Sequence, residues 1–554
     1  MSQHRRRPPA KTAKTVQRRR AVVGGVFVAT VALGAGVALA FSGGGGGAST
    51  DTAGARPPGG SPSAHDTADG GLATPGPTRS YALSSAPRVI PAVRSHTPAR
   101  GPGWRPSRSY RVVVSDPRLA DEGRLVAGEL GLAYAGRRTD TRPGDVRLAL
   151  GGGGDAESYT MTVRGGGVSI SGPSDAGVFY GTRTLKQEVH GGGTAPEGVV
   201  RDTPAKPVRG FMLDIARKHF TAGWIEDRVR ELGDLKFNQL GLHFSDDQGF
   251  RIASASHPEI VSAQHLTKAE VGRIVALAAA RHITVVPEID SPGHLGAVIA
   301  AHPDLQLRSV RGTAPRGTVD ISKPAAAKIV DDLLKEYAGL FPGGSWNLGG
   351  DEYQALVTKD PAASYPQLAA AARRRYGPSA TVSDLTTGWL NDRAATVRAA
   401  GHATLRAWND GFFRTTSVTP AKDLQVGYWT GREYGARQPL EYLSAGRKVV
   451  NYNDAYLYYV LGQPNNFVYP TGQRIYEQWN PRVLRGGTAV PSRYDGQILG
   501  GSFAVWCDLS RSQTQDQVAA GIRMPLRAVI QKLWDPGTPG MPWADFRKLA
   551  DRLG

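Results

Sequence analysis

The sequence predicts an α/β protein: a (β/α)8 TIM barrel over residues 206–554, preceded by a small α+β domain over residues 108–205. Three observations carry this. From Gly210 onward, eight apolar runs recur at domain-scale regularity. Several of the gaps between them carry helical spacing, and alternating buried strands and helices imply a parallel sheet covered on both faces. The runs also end in charged and aromatic residues, which is where a barrel of this kind collects its working side chains. A doubly wound open sheet is the rival. It would bring a glycine-rich phosphate loop after its first strand, and Asp214-Ile215-Ala216-Arg217-Lys218 is not one.

Residues 1–20 hold eight Lys or Arg and no acid, and Ala21 to Ser42 is an uncharged, mostly apolar run. Ala38-Leu39-Ala40 fits a signal-peptidase site, and the run is also long enough to span a bilayer. Residues 1–42 are therefore a signal peptide or an N-terminal membrane anchor. Either way the basic flank stays in the cytoplasm and the rest is exported, as a secreted protein or one held on the outer face of the membrane. Residues 43–107 are rich in Gly, Pro and Ser and poor in large apolar groups, which predicts a flexible linker. Cys507 is the single cysteine, so no intrachain disulfide is available. The net charge is +19, of which the first 20 residues supply +8. The remainder suits contact with anionic cell-wall polymers. It lacks the basic stripe interleaved with aromatics that nucleic acid requires, so no nucleic-acid partner is expected.

In the small domain, Tyr110–Val114 and Val146–Leu150 read as strands, Asp121–Leu130 as a helix, and Tyr159–Val163 with Val168–Ile170 as a hairpin across Gly165–Gly167. Asp175–Val189 has helical spacing. No paired acids appear here, and the segment is assigned a structural role. The eight barrel runs are Phe211–Ala216, Gln239–Phe244, Thr284–Ile289, Trp346–Gly350, Ala403–Ala407, Gln425–Trp429, Lys448–Asn453 and Ile498–Trp506. Helices are expected at Ile225–Lys236, Lys268–Ala280, Ala325–Leu340, Ser383–Ala400 and Gln513–Leu533.

Their ends present Arg217; Asp246 and Asp247; Glu288, Asp290 and His294; Asp351 and Glu352; Trp408; Trp429; Asp454 and Tyr456; Trp506 and Asp508. Within Trp346–Tyr353, a short strand runs straight into the two adjacent carboxylates. Burying unpaired charge costs several kcal/mol, and two like charges in a cleft raise one proton affinity toward the range of a general acid. The plain alternative is an Asp that caps the next helix while Glu faces water. Tryptophans at strand ends suggest flat apolar walls for a sugar ring.

The motifs RGFMLDIARKHF, FNQLGLHFSDDQGFRI, VVPEIDSPGH and WNLGGDE, followed by Trp408, YWTG and DAYLY, together resemble glycoside hydrolase family 20, the exo-acting β-N-acetylhexosaminidases. The preceding DAGVFYGTRTLKQ looks like the end of that family's N-terminal α+β domain. The resemblance covers residues 108–510 and implies a retaining hydrolase acting on terminal β-linked GlcNAc or GalNAc in oligosaccharides or glycans. It implies that the substrate's own 2-acetamido oxygen attacks the anomeric carbon to give an oxazolinium intermediate, with no metal and no cofactor. Glu352 then protonates the leaving oxygen and later activates water, Asp351 holds the acetamido N–H, and Tyr456 aims the acetamido oxygen. Trp408, Trp429 and Trp506 wall the acetamide and ring, Arg217 grips hydroxyls, and Asp246 and His294 tune Glu352 from behind. Asp508 contacts the outer hydroxyls. Asp246, Asp247, Asp290 and His294 also carry a metal-site alternative, which this chemistry does not need.

The chain departs from the family pattern twice. Many relatives have an acid two residues after the tyrosine, where this chain has Tyr458, and Glu two residues after the last tryptophan, where it has Asp508. A pocket changed there suggests release of a disaccharide, as by the lacto-N-biosidases of the same family. A non-catalytic glycan-binding wall protein is the other class; such a relative is expected to lose Asp351, Glu352 or Tyr456, and all three are present.

Overall fold

A computed structural model describes residues 80–432, 436–462 and 468–554. The expected signal or anchor segment and most of the expected linker lie outside the described residues, and among the described residues no helix is long and apolar enough to cross a membrane.

The small domain is a seven-stranded sheet with helices packed against it. Its strands are β1 (His96–Pro98), β2 (Arg111–Val114), β3 (Ala133–Arg137), β4 (Val146–Leu150), β5 (Tyr159–Arg164), β6 (Gly167–Gly172) and β7 (Gly198–Asp202), in the order β1-β7-β5-β6-β4-β2-β3. Helices α1 (Ala120–Leu130) and α2 (Asp175–Gly192) carry its apolar core, together with Val112, Met161, Ile170 and Phe179. The hydroxyl of Ser174 caps α2 through the Gly177 N–H, and Gly193 ends it at φ 69°, a left-handed turn that glycine takes without strain.

One boundary differs from the sequence reading. The linker expected to run to residue 107 ends earlier. Val89 and Ile90 are buried, β1 pairs with β7, and the Trp104 indole donates to Gly144 O at 2.9 Å. Composition hid this because only Val89, Ile90, Trp104 and the partly buried Val93 anchor an otherwise polar stretch, while Gln187 and Glu188 bond its backbone.

The barrel closes from β8 (Val208–Asp214) through β9 (Gln239–Asp246), with the short antiparallel β10 (Gly249–Phe250) folded on it, then β11 (Thr284–Ile289), β12 (Ser345–Asn347), β13 (Thr404–Trp408), β14 (Gln425–Tyr428) and β15 (Val449–Asn451). The short β16 (Tyr458–Val460) lies parallel to β17 (Ile498–Trp506), and β17 pairs with both β15 and β8. Every residue of β8 is buried, as a strand covered by helices outside and side chains inside must be.

The outer layer comprises α3 (Ala222–Asp234), α4 (Lys268–Ala279), the short α5 (Gly296–Ala301), α6 (Pro324–Ala338), α7 (Pro361–Ser364), α8 (Pro366–Tyr376), α9 (Val382–Ala399), α10 (Pro439–Ser444), α11 (Gly472–Gln478), α12 (Gln515–Trp534) and α13 (Trp543–Leu553). Thr267 with Glu270, Thr381 with Asp384, and Thr514 with Gln517 form capping boxes at α4, α9 and α12, satisfying backbone donors that the first helical turn leaves free. No helix follows β13. A 3-10 turn at Asn409–Gly411 takes its place, and that turn bears on the site.

Candidate active site

A cavity of about 570 Å³ opens at the C-terminal ends of the barrel strands, within the range of roughly 300–1,000 Å³ typical of small-molecule sites. It is lined by Arg217, His294, Asp351, Glu352, Trp429 and Thr430, and by Arg432, Asp454, Tyr458, Val460, Trp506 and Asp508.

The GGDE sequence explains its own geometry. After β12, Gly349 and Gly350 take φ of 69° and 96°. A Cβ at position 349 would lie 1.8 Å from Asp290 Oδ1, and without one the Gly350 N–H reaches that oxygen at 2.7 Å. The chain then delivers Asp351 into the cavity wall, with its side chain 13% exposed, and Glu352 to the more open side at 37%. Glu352 has φ 48° and His294 φ 55°. Left-handed backbone costs a non-glycine residue on the order of 1–3 kcal/mol, so the surroundings must impose it. For Glu352, Asp410 does so. Its Oδ2 accepts the Glu352 N–H at 2.9 Å and its Oδ1 accepts the Trp429 indole N–H at 2.9 Å.

Beneath the cavity runs a buried polar chain. His243 Nδ1 meets Glu288 Oε1 at 2.9 Å and its Nε2 meets Asp246 Oδ2 at 2.7 Å. Glu288 also accepts from the Trp408 indole at 2.9 Å and from Asn347 Nδ2 at 2.6 Å. Burial opposes a charge on His243, but Glu288 and Asp246 outweigh it and lift the imidazole to about 10. Arg217 joins Asp214 at 2.9 Å and Asp246 at 2.8 Å and lies over the Trp506 ring. Burial would raise Asp246, yet His294, Arg217 and His243 hold it well below the ordinary carboxylate range.

His294 is the pivot of the charge balance. Its Nδ1 lies 3.4 Å from Asp246, and its Nε2 lies 3.6 Å from Asp351 and 3.4 Å from Glu352. These are charge contacts rather than well-directed hydrogen bonds. Burial disfavours the imidazolium, but Asp246 and Asp351 hold it well above the ordinary histidine range. That cation in turn holds Glu352 low against the effect of burial. Burial lifts both Asp290 and Asp351; repulsion from Asp351 adds to it at Asp290, while at Asp351 repulsion from Glu352 and Glu288 adds to it and His294 and a hydrogen bond with Asp290 work against it. Asp290 Oδ2 and Asp351 Oδ1 are buried and receive no N–H. Asp290 is held the further above the ordinary carboxylate range, so a single proton between the two favours Asp290. Burial, with Asp351 adding repulsion, pushes Asp410 up to about 8.

The structure brings Arg217, His294, Asp351, Glu352, Trp429, Trp506 and Asp508 to the cavity, with Asp246 directly behind Arg217 and His294. Two expected positions differ. Trp408 is only 1% exposed and forms a layer under the cavity, its ring centroid 6.0 Å from that of Trp506. Tyr456 does not line the cavity. Asn453 O accepts from both Tyr456 N and Leu457 N, so the chain turns here before the short β16 begins at Tyr458. Arg474 covers the Tyr456 ring at 4.3 Å. The tyrosine in the cavity is Tyr458, stacked on Trp429 at 5.7 Å and 4°.

Sequence reasoning did not single out His243, Asn347, Asp410 or Arg432. His243 had a signal: a polar side chain at an inward position of a parallel strand. Asp410, two residues past Trp408, had none, because its role depends on the missing helix after β13.

Residues 86–203 match the model of glycosyl hydrolase family 20 domain 2, and residues 207–534 match that of the family's catalytic domain. A lacto-N-biosidase of Bifidobacterium bifidum is 31% identical over 487 residues, covering 84% of this chain and 42% of that protein. A β-N-acetylhexosaminidase of Cellulomonas fimi is 34% identical over 271 residues, covering 44% of this chain and 54% of the other. The chain thus spans about half the length of the curated relatives it matches. An N-acetyl-β-hexosaminidase of Streptomyces plicatus, solved with thio-NAglucal, superposes with a TM-score of 0.66 at 25% identity, covering 85% of this chain and 95% of that one. An exo-β-N-acetylglucosaminidase of Vibrio harveyi has a TM-score of 0.69 at 20% identity, covering 87% and 79%, and shares the fold. With both domain models matched in order, and an adjacent carboxylate pair at the mouth of the barrel, the chain belongs to glycosyl hydrolase family 20.

Proposed function

We propose that this protein is an exo-acting retaining glycoside hydrolase that releases a terminal unit carrying β-linked N-acetylhexosamine, with the substrate's acetamide as the nucleophile. The observation that carries the reading is the Asp351–Glu352 pair: neighbours in the chain, held in different environments on one wall of the cavity at the barrel mouth. Two-carboxylate retaining enzymes need their acid and nucleophile about 5 Å apart on opposite faces of the sugar, and family 20 is itself a stated exception to that scheme. Adjacent residues leave the opposite face to the acetamide. Asp351, anionic beside the proton on Asp290, takes the acetamido N–H and balances the positive charge that develops on the ring formed by attack. Glu352 gives its proton to the leaving oxygen and then takes one from water. His294 holds Glu352 low; a bound sugar excludes water from it and raises its proton affinity.

The role that the family resemblance gave to Tyr456 passes to Tyr458, whose hydroxyl lies in the field of Asp351. Tyr458 also stands where many relatives carry an acid, and the apolar Val460 lines the cavity near it.

A specific pair of observations favours a second reading, in which the released unit is a disaccharide. Tyr458 stands in the pocket in place of a hydroxyl-binding acid, and the lacto-N-biosidase relative covers 84% of this chain. Matched aryl glycosides of N-acetylglucosamine and of galactosyl-β-N-acetylglucosamine distinguish the two. Release of the disaccharide at the higher kcat/KM supports the second reading, and strong preference for the monosaccharide eliminates it. No hydrolysis of either by the intact protein would favour a glycan-binding protein instead. We also place the activity outside the cytoplasm, on the character of residues 1–42 alone; cell fractionation tests it.

A further inference from the structure

On the outer side of the barrel, His257 and Glu259 from the segment after β10 meet His302 at the end of α5. His257 Nδ1 and His302 Nε2 both lie 2.9 Å from one oxygen of Glu259. The three ligand-capable atoms all lie within 4.8 Å of one another. We propose that these three side chains form a binding site for a divalent transition ion of the zinc type, distinct from the hydrolytic centre.

Two imidazole nitrogens with one carboxylate oxygen is a borderline-soft donor set. It suits zinc, copper or nickel and is poor for calcium or magnesium, which take oxygen. The separations fit. Bonds of about 2.0–2.1 Å arranged tetrahedrally place ligand atoms about 3.3 Å apart, so the pairs now at 2.9 Å need to part by only a few tenths of an ångström. The fourth position faces solvent, since Glu259 and His302 side chains are 41% and 32% exposed.

A second observation points the same way. His257 Nε2 is buried and has no well-directed partner, yet Asp332 Oδ2 lies 3.4 Å away, itself anchored by Lys328. With Nδ1–H given to Glu259, a neutral His257 turns a lone pair toward that carboxylate, which is repulsive. With the ion on Nδ1, the ring proton moves to Nε2 and points at Asp332. That is the carboxylate–histidine–metal relay by which metal-binding imidazoles are oriented. His302 makes the corresponding tautomer change, so no net proton is released. The ion would tie the segment after β10 to the far end of α5, whose near end begins two residues after His294.

The test is a zinc titration of the full chain, metal-stripped, beside His302→Gln and Glu259→Gln. Melting in chelator shows that each variant is folded as the parent is. The proposal expects the variants to bind one zinc fewer per chain than the parent. It also expects a cobalt(II) visible band in the parent that both variants lack. With zinc at about a hundredfold excess over Kd, it expects the parent alone to melt about 2–4 °C higher. Hydrolysis should be unchanged in all three proteins. Equal zinc stoichiometry in parent and variants, or no zinc bound by the parent, overturns it.

Discussion

Asp410 and Glu352 are joined through the backbone: a carboxyl oxygen of one accepts the amide N–H of the other at 2.9 Å, where φ is 48°. The second oxygen of Asp410 pins the Trp429 indole, so one side chain positions both the proposed acid and a wall of the pocket. Asp410→Ala should lower kcat/KM by about 100-fold, the scale of an ångström of misplacement at a reacting group. Circular dichroism and melting should show the fold retained. A loss below threefold would remove Asp410 from the account.

Glu352→Gln keeps the shape of the side chain and abolishes proton transfer. Turnover of substrates with poor leaving groups should fall about 10²–10⁴-fold, and less with an activated aryl leaving group. Asp351→Ala should lose comparable activity. Azide should not restore it, because no covalent nucleophile is missing; azide rescue with a glycosyl azide product would show that Asp351 attacks carbon.

The two tyrosines separate geometry from motif. Tyr458→Phe removes a hydroxyl in the cavity and should cost about 100-fold in kcat/KM, as for the loss of one donor to a developing charge. Tyr456→Phe should cost less than threefold. The reverse order of effects would restore the role implied by family resemblance.

His243 supplies a stability signature. Its folded pKa is about 10 against an ordinary 6.5, so the folded state holds the proton more tightly than the unfolded chain. That contribution is complete below about pH 6.5 and is lost as pH rises toward 10, at up to about 1.4 kcal/mol per pH unit. Urea unfolding between pH 6.5 and 10 should show a steeper decline for the parent than for His243→Gln. Parallel curves would mean that Glu288 and Asp246 do not hold a charged imidazole.

The barrel was legible because each strand advertises itself twice, by an apolar run and by the polar residue that ends it. Arg217, His294, Asp351 and Glu352 were readable for that reason. Tyr456 took its role from the DAYLY motif; Asn453 O turns the chain there, and Tyr458 rather than Tyr456 is among the residues lining the cavity. Asp410 was invisible because a 3-10 turn occupies the place of a barrel helix. The early end of the linker was missed because Ile90 and Trp104 find their hydrogen-bond partners, Gln187 of α2 and Gly144 ahead of β4, far along the chain.

The central claim is that the sugar's own amide attacks the anomeric carbon. The most direct measurement is kcat/KM for a series of aryl glycosides whose 2-acetamido group carries zero, one, two or three fluorines. Each fluorine weakens the carbonyl oxygen as a nucleophile with little change in size. The account predicts a steep, monotonic fall in rate across the series, with retained configuration in the product. A flat series, with the trifluoro substrate cleaved as fast as the parent, would contradict it.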